Sequence, residues 1–321
     1  MTRRPSFIEN VVYAPLWLAL HALALLPFRL LYLISDALWL LVYGIVRYRV
    51  KVVRQNLSES FPDKSPEELR LIERKFYHHL CDYFVETIKL LHISDEQMRR
   101  RCVMENVDEV TSTLMSGRSI AVYAAHFGNW EWLTSIVLSM PEETRRHFIG
   151  QIYQPLNNRW MDRFFLKLRG RFRTTCVAKD DTLRTVASVQ RSADGHRSII
   201  GYIADQHPRH NAGNRIVQFL NHPTAFLSGT EAIARHFDMA VFVFDMVPTG
   251  RGYYRVTLRR LSADASAEQE GAITDAFALW LERRVNRYPE QWLWTHKRWK
   301  RPVTTAPEPP ASLINPISYD E

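Results

Sequence analysis

His126 and Glu131 are the two residues whose types and spacing most directly suggest chemistry. They lie five positions apart within the run from Ala124 to Trp132. On one continuous helix this spacing would place them about 140° apart, on different faces, but Gly128 and Asn129 between them indicate a turn. We therefore expect Glu131 to face back and accept a hydrogen bond from one imidazole nitrogen. Such a carboxylate fixes the tautomer and makes the other nitrogen a general base.

The spacing alone is weak evidence. With 12 His and 34 Asp plus Glu in 321 residues, chance gives roughly one such pair, and a structural histidine is the alternative interpretation. The surroundings strengthen the catalytic interpretation. An apolar run at 119–123 predicts a buried strand before His126, and another at 133–138 suits a helix after it. Gly128 allows the bend without a Cβ penalty, and Asn129 is a favoured helix N-cap.

Two further polar residues stand at the ends of predicted elements. Arg169 closes an amphipathic helix at 156–168 and is followed by Gly170, which suits a helix C-cap. It is either a surface charge or a contact for a phosphate or an oxyanion. Asp205 follows the apolar strand 198–204 and is either a turn residue or a site residue, because α/β proteins place active sites at the carboxyl ends of their strands.

The order of elements defines the fold class. Strands alternate with helices, which predicts an α/β fold with a mixed, largely parallel central sheet flanked by helices, and an antiparallel pair at 240–247 and 253–260. We divide the chain into an N-terminal anchor at 1–50, a globular domain at 51–303 and a disordered tail at 304–321 that contains four Pro. No nucleotide-binding or nucleophile-elbow motif is present, and the three Cys have no paired spacing. We therefore predict no cofactor and no metal site.

The N-terminal 50 residues favour membrane attachment. The segments 11–26 and 30–46 are almost wholly apolar, although each is a little shorter than the roughly 20 residues of a spanning helix. They fit one span with an interfacial helix, or a shallow re-entrant pair; buried core helices are the alternative. A basic cluster follows at Arg47, Arg49, Lys51 and Arg54. The positive-inside rule then places the remainder of the chain in the cytoplasm.

Charge and aromatic content suggest acidic partners. The net charge is +8 and the chain contains nine Trp, so anionic lipid, a phosphorylated substrate, an acidic carrier protein and nucleic acid all fit. The segment 291–301 interleaves aromatic and basic residues. It suits stacking on nucleic acid or contact with anionic headgroups.

Taken together, these blocks resemble the bacterial lipid A biosynthesis late acyltransferases (HtrB/LpxL type), within the lysophospholipid acyltransferase superfamily. The likeness covers nearly the whole chain. Its blocks, in order, are the apolar N-terminal segment, His126 to Glu131, Tyr153 to Asn158, Arg169 to Arg171, the Asp205 strand end, and Pro289 to Trp294 running into a basic stretch. The chain departs from the family after Asp205, where Gln206-His207-Pro208-Arg209-His210 stands in place of an acidic or glycine-rich run.

The resemblance implies a function and assigns site residues. It implies transfer of a fatty acyl group from an acyl carrier protein thioester to a lipid A precursor hydroxyl, at the bacterial inner membrane with the catalytic domain on the cytoplasmic side. His126 and Glu131 would be catalytic, and Gly128, Asn129, Arg169 and Asp205 would bind substrate. No nucleic acid partner is expected. The alternatives are an acyltransferase that uses acyl-CoA on another glycolipid or a lysophospholipid, and a non-enzymatic membrane-surface binder for which His126 and Glu131 are dispensable.

Overall fold

The computed structural model describes residues 6–192, 194–208, 214–300, 303 and 305–313. Its α-helices are α1 Phe7–Leu25, α2 Phe28–Trp39, α3 Val50–Ser60, α4 Pro66–Lys89, α5 Asp95–Arg101, α6 Val107–Met115, α7 Arg159–Arg169, α8 Thr182–Gln190, α9 Gly229–His236 and α10 Ala272–Arg287. Its strands are β1 Cys102–Glu105, β2 Ile120–Ala124, β3 Phe148–Tyr153, β4 Thr175–Ala178, β5 Ser198–Ile203, β6 Arg215–Phe219, β7 His222–Phe226, β8 Ala240–Gly250 and β9 Tyr253–Ser262. A π-helix at Leu40–Ile45 continues α2, and 3-10 helices lie at Trp130–Ser139, Glu142–Arg146, Lys179–Asp181, Ala265–Ala267 and Pro289–Gln291.

The main sheet confirms the predicted fold class. Its strand order is β1-β9-β8-β2-β5-β3-β4, and β8, β2, β5, β3 and β4 all run parallel. The antiparallel pair expected late in the chain is β8 with β9, and β1 joins the edge parallel to β9. A separate antiparallel pair, β6 with β7, occupies a stretch predicted as loop. Its strands are short and carry His, Asn and Pro around their turn, so the apolar alternation that identifies a hairpin is missing.

The central strand β2 is buried along its whole length because both faces of the sheet are covered. Ala121 and Tyr123 face a core that includes Phe277 of α10. Ile120 and Val122 face a second core on the other side, which includes Trp132. Because both faces of β2 are buried, its residues form a continuous apolar run, and this run makes the strand easy to predict from the sequence.

The two N-terminal helical segments are apolar and largely uncovered. Ile8–Leu25 and Phe28–Ile45 are each 18 residues long, with mean hydropathies of 1.4 and 1.5 and with 6% and 17% of their residues buried. Segments of this length and composition suggest membrane association. Both are also tied to the globular domain. Lys89 at the end of α4 donates to the carbonyls of Ala24 and Leu26 at 2.9 and 2.7 Å, and Ser35 donates to Asp82 at 2.6 Å.

Part of the predicted C-terminal tail contacts the globular domain. Residues 305–313 lie against β6 and α10: the Glu308 amide donates to the Ile216 carbonyl at 3.0 Å, and the Ala311 amide donates to Asp275 Oδ2 at 2.8 Å. Arg215 also pairs with Glu308 and with Asp275. An extended Pro-rich segment is thus held by backbone bonds and one arginine. Residues 304 and 314–321 lie outside the described part.

Candidate active site

Strand register brings His126 and Asp205 together. β2 and β5 are adjacent and parallel, and Ala124 is paired with Ile203. His126 and Asp205 each stand two positions beyond that pair, so they emerge side by side at the carboxyl edge of the sheet. This is the edge at which open α/β sheets place their sites.

His126 is held by Asp205 through two bonds. Its Nδ1 lies 2.7 Å from Oδ1 of Asp205, and its backbone amide donates to Oδ2 at 3.0 Å. Trp292 Nε1 donates to the same Oδ2 at 2.9 Å. Because an ionised carboxylate only accepts hydrogen bonds, Nδ1 carries the proton and Nε2 carries the lone pair.

The electrostatic setting keeps this carboxylate ionised. Asp205 is 3% exposed, and burial acts to raise its pKa. The neighbouring His126 ring and the hydrogen bonds from His126 and Trp292 outweigh that effect, so the pKa of Asp205 lies below its usual range. Asp205 is therefore negative at neutral pH and fixes the ring that it holds.

Glu131 does not orient His126, which corrects the pairing predicted from the sequence. Its two carboxylate oxygens accept from Arg169 Nη2 and Nε at 2.6 and 2.8 Å, a bidentate ion pair. Glu131 is 3% exposed. Burial lowers the pKa of Arg169, but the bonds to Glu131 raise it above its usual value. The helix after the turn is a 3-10 helix, and Glu131 on its first turn points to the end of α7 instead of back to His126.

Gly128 and Asn129 build the turn and are buried. Gly128 has φ +59°, and a Cβ there would lie 2.5 Å from Met246 Sδ, so the predicted need for glycine is confirmed. Its amide donates to the Gln291 carbonyl at 3.0 Å. Asn129 makes no side-chain cap; its Nδ2 donates to Glu86 Oε2 at 2.8 Å. Both of these donors are therefore committed within the protein, and substrate binding by the two residues stays a prediction.

Glu86 is a buried residue of the site that sequence reasoning missed. It is fully buried on α4 and accepts from Asn129, from Tyr254 at 3.1 Å and from Tyr32 of α2 at 3.0 Å. Burial raises its pKa to about 7, although these hydrogen bonds oppose the shift. Glu86 thus links an N-terminal helix to the turn that carries His126. A glutamate inside an amphipathic helix gives no sign in sequence that its side chain is enclosed.

The aromatic-basic segment 291–301 is a core element where it meets the site. Its Trp292 and Trp294 are 3% and 0% exposed, and Arg298 is 1% exposed. The Leu293 amide donates to the His126 carbonyl at 3.1 Å. These buried residues pack against the turn that carries His126. The predicted stacking on nucleic acid or contact with lipid headgroups is therefore wrong for them.

The remaining nitrogen of His126, Nε2, lies beside an exposed side chain. Nε2 lies 3.1 Å from the side-chain amide of Gln206, which is exposed, and the His126 side chain is 16% exposed. The ring of Trp130 stands edge-on to His126 at 5.0 Å and stacks on Tyr83 at 4.1 Å. An oriented imidazole with one accessible lone pair is a general base for a hydroxyl. In the described part of the chain, no group of three or more His, Cys, Asp or Glu is arranged to hold a metal ion.

Comparison with known proteins gives one consistent result. The profile of the family described as bacterial lipid A biosynthesis acyltransferase matches residues 6–301. The chain is 25% identical over 313 residues to the lipid A biosynthesis palmitoleoyltransferase of Escherichia coli K12, covering 93% of this chain and 96% of that protein. It is 24% identical over 318 residues to the lipid A biosynthesis lauroyltransferase of the same organism, covering 94% and 97%. A lipid A biosynthesis acyltransferase of Shigella flexneri matches at 25% identity over 313 residues.

Proposed function

The chain belongs to the bacterial lipid A biosynthesis acyltransferase family, and we propose that it transfers a fatty acyl group from an acyl carrier protein thioester to a hydroxyl of a lipid A precursor. The family membership establishes an acyltransferase of lipid A biosynthesis. The donor, the acceptor hydroxyl and the roles of individual residues are our proposal. The observation that supports it best is the His126 ring, whose Nδ1 is bound to Asp205 and whose Nε2 lies 3.1 Å from the exposed Gln206 side chain.

In the proposed mechanism His126 acts as the base and Asp205 as its positioning partner. The acceptor hydroxyl displaces the Gln206 amide at Nε2, and its oxygen attacks the thioester carbonyl carbon as Nε2 takes the proton. The buried Asp205 carboxylate stabilises the imidazolium that forms. The carbon–sulfur bond then breaks, the proton passes to the leaving thiolate, and an ester and a free thiol result. No covalent enzyme intermediate is required.

In the proposed mechanism Arg169 both pairs with Glu131 and donates a hydrogen bond to the substrate. Nε and Nη2 are committed to Glu131, and we assign the remaining Nη1 donor to a substrate phosphate or to the thioester oxyanion. Glu131 therefore acts on the reaction by holding this guanidinium in one orientation. An acidic carrier protein and a phosphorylated glycolipid both complement the net charge of +8. The location proposed is the inner membrane, with the catalytic domain on the cytoplasmic side.

The test is an acyl-transfer assay with the full-length protein in detergent. Acyl carrier protein thioester and acyl-CoA are offered as donors, a lipid A precursor and a lysophospholipid as acceptors, and products are identified by mass spectrometry. We expect transfer from the carrier protein to the lipid A precursor. His126→Ala should slow it by about 10²–10⁴, the usual contribution of a general base, and His236→Ala at an exposed end of α9 is the matched control. Preference for acyl-CoA and a lysophospholipid, or an active His126→Ala variant, would contradict the proposal.

A further inference from the structure

A cavity of about 450 Å³ opens where the N-terminal helices meet α4. One wall is Asp36 and Trp39 of α2 with Leu40, the first residue of the π-helix; the other wall is formed by α4. The α4 residues that line it are Leu71, Arg74, Lys75 and His78. Neither His126, Asp205 nor Arg169 lines this cavity.

Two cations without an ion-pair partner among the described residues lie at this cavity. The carboxylate that lines it, Asp36, pairs with Arg251 Nη2 at 2.5 Å, a guanidinium that also pairs with Asp82, and it lies 3.0 Å from His78 Nε2. Arg74 and Lys75 are exposed, and neither has an ion-pair partner in the described part of the chain. Two cations are thus left without a counter-charge at one opening, which favours an anion there.

Trp39 adds a second indication of a ligand. The Arg74 guanidinium lies over its ring, 5.2 Å from the ring centre, and this cation–π contact holds the exposed arginine at the cavity. The indole Nε1 is buried and has no acceptor among the described residues. Buried N–H groups are rarely left unsatisfied, so Trp39, a lining residue of the cavity, keeps an unused hydrogen-bond donor beside it.

The cavity continues into an apolar surface. Leu40 and Leu71 on its two walls are 60% and 52% exposed, and Leu33, seven positions before Leu40 on the same side of its helix, is 64% exposed. Leu33 and Leu40 belong to the apolar segment Phe28–Ile45, and Leu71 lies on α4. A ligand seated here therefore has a polar, anionic end at Arg74 and Lys75 and an apolar chain that follows α2.

We propose that this cavity binds the headgroup of an anionic phospholipid from the membrane that holds the N-terminal helices. The phosphate contacts Arg74 and Lys75, and an acyl chain lies along Leu40 and Leu33. The volume suits a phospholipid headgroup, since sites for small molecules span about 300–1,000 Å³. An anionic phospholipid brings one net negative charge to the two cations, whereas a zwitterionic lipid brings none because its own ammonium balances its phosphate, so the site discriminates by net charge.

Native mass spectrometry of the full-length protein in detergent tests this proposal. Dioleoyl phosphatidylglycerol and dioleoyl phosphatidylcholine are added in equal amounts. We expect one phosphatidylglycerol to be retained in preference. The double variant Arg74→Gln/Lys75→Gln should bind it about thirtyfold more weakly, because each cation near an anionic lipid is worth a factor of about five. Trp39→Phe, which leaves Arg74 a weaker cation–π partner, should weaken binding by a smaller factor.

The control variant is Arg100→Gln/Arg184→Gln, which also removes two positive charges from exposed helix positions but lies outside the cavity. It should bind phosphatidylglycerol as the wild type does. Equal binding by the cavity variant and the wild type, or an equal loss in the control, would overturn the proposal. If a phosphorylated lipid A precursor displaces the phosphatidylglycerol one for one, the cavity is an acceptor site and the phospholipid assignment is wrong.

Discussion

The indole N–H of Trp292 donates to Oδ2 of Asp205, the same oxygen that accepts from the His126 backbone amide. Asp205 therefore has two donors on one oxygen and the imidazole on the other. A side chain with a single acceptor oxygen cannot satisfy this arrangement. The geometry thus requires a carboxylate at this position.

The first prediction follows for Asp205→Asn. The asparagine oxygen will turn to the two donors at the Oδ2 position, because the opposite orientation would set its NH₂ against two N–H groups. Its NH₂ then donates to His126 Nδ1, which moves the ring proton to Nε2 and removes the base. We expect a rate loss of about 10²–10⁴, similar to that of His126→Ala. The double variant should be little slower than either single, because the two residues act as a unit.

Acyl-transfer rates of the three variants, with thermal melts to show folding, are the measurement. Trp292→Phe is a useful comparison because it removes one of the two donors on Oδ2 and keeps an aromatic ring in the core. Combined with Asp205→Asn it should restore little activity, since the His126 amide still faces that position. Additive losses in His126→Ala/Asp205→Asn would mean that the two residues have separate roles.

The second prediction concerns Glu131 and Arg169 as an ion pair. Glu131→Gln leaves the largely buried guanidinium without its counter-charge, and Arg169→Gln does the same to the carboxylate. Removing one member of such a pair costs up to about 3–5 kcal/mol in a fully buried site, and less here because the Arg169 side chain is 22% exposed. Each single variant should therefore lower Tm, and the double variant should be no less stable than the worse single.

The pH–rate profile distinguishes a Glu131 that holds Arg169 from a Glu131 that orients His126, as the sequence predicts. The Glu131 carboxylate is bonded to Arg169 and not to the His126 ring, so Glu131→Gln should lower the maximal rate. The pH at which the rate falls on the acid side of the profile should stay the same. Arg169→Lys keeps the charge and loses the planar fork, and should lower activity about tenfold or more. A displaced acid limb in Glu131→Gln would show that Glu131 acts on His126 after all.

The partner of His126 depends on which strands are neighbours in the sheet. The sequence indicates the strands that end before His126 and Asp205, and it places both residues at turns. It contains no local sign that β5, which follows two intervening strands, lies next to β2. Without that adjacency the nearest acid in sequence, Glu131, is the natural partner for His126. The resemblance to a family identifies the same residues but does not state which hydrogen bond each one makes.

For the segment 291–301, which interleaves aromatic and basic residues, composition predicts exposure where the structure shows two buried tryptophans. Alternating tryptophans and bases suggest a surface that binds polyanions or headgroups, yet Trp292 and Trp294 are buried. Their burial follows from tertiary contacts: Trp292 is bonded to Asp205, and Trp294 Nε1 donates to the Pro289 carbonyl at 2.6 Å. Composition describes which groups are present, whereas their exposure depends on what packs over them.

The third prediction concerns the N-terminal helices. A chain that begins at residue 51 should no longer pellet with membranes, because it lacks both apolar segments. It should also be less stable than the full chain in detergent. Asp82, Glu86 and Lys89 would each lose a hydrogen bond to the deleted part, and each such bond contributes about 0.5–1.5 kcal/mol, more where a charged group takes part.

Membrane fractionation and thermal melts check this prediction, with a chain that begins at residue 6 as the control. The control should behave as the full chain does in both measurements. Membrane pelleting of the shorter chain would place the anchor elsewhere in the protein. A shorter chain that is as stable as the control would mean that the three contacts with the deleted helices contribute nothing measurable.

The last prediction uses the raised pKa of Glu86. Burial raises it to about 7 from a model-compound value of 4.5, so the folded protein holds a proton that the unfolded chain has already lost between these two values. The stability contributed by that proton is fully present below about pH 4.5 and is lost as the pH rises towards 7, a difference of roughly 3 kcal/mol. Glu86→Gln keeps a neutral side chain at every pH. Its oxygen can accept from Asn129 and Tyr254 while its NH₂ donates to the Tyr32 hydroxyl.

We therefore expect Glu86→Gln to match the wild type in Tm near pH 5 and to exceed it at pH 8. Thermal melts of the detergent-solubilised protein across pH 5–8 provide the measurement. Glu67→Gln, at an exposed position in the first turn of the same helix, is the control and should show a difference that does not change over this range. The prediction fails if the Glu86→Gln variant is the less stable protein at pH 8, because the ionised carboxylate would then be the form that holds Asn129 and the His126 turn in place.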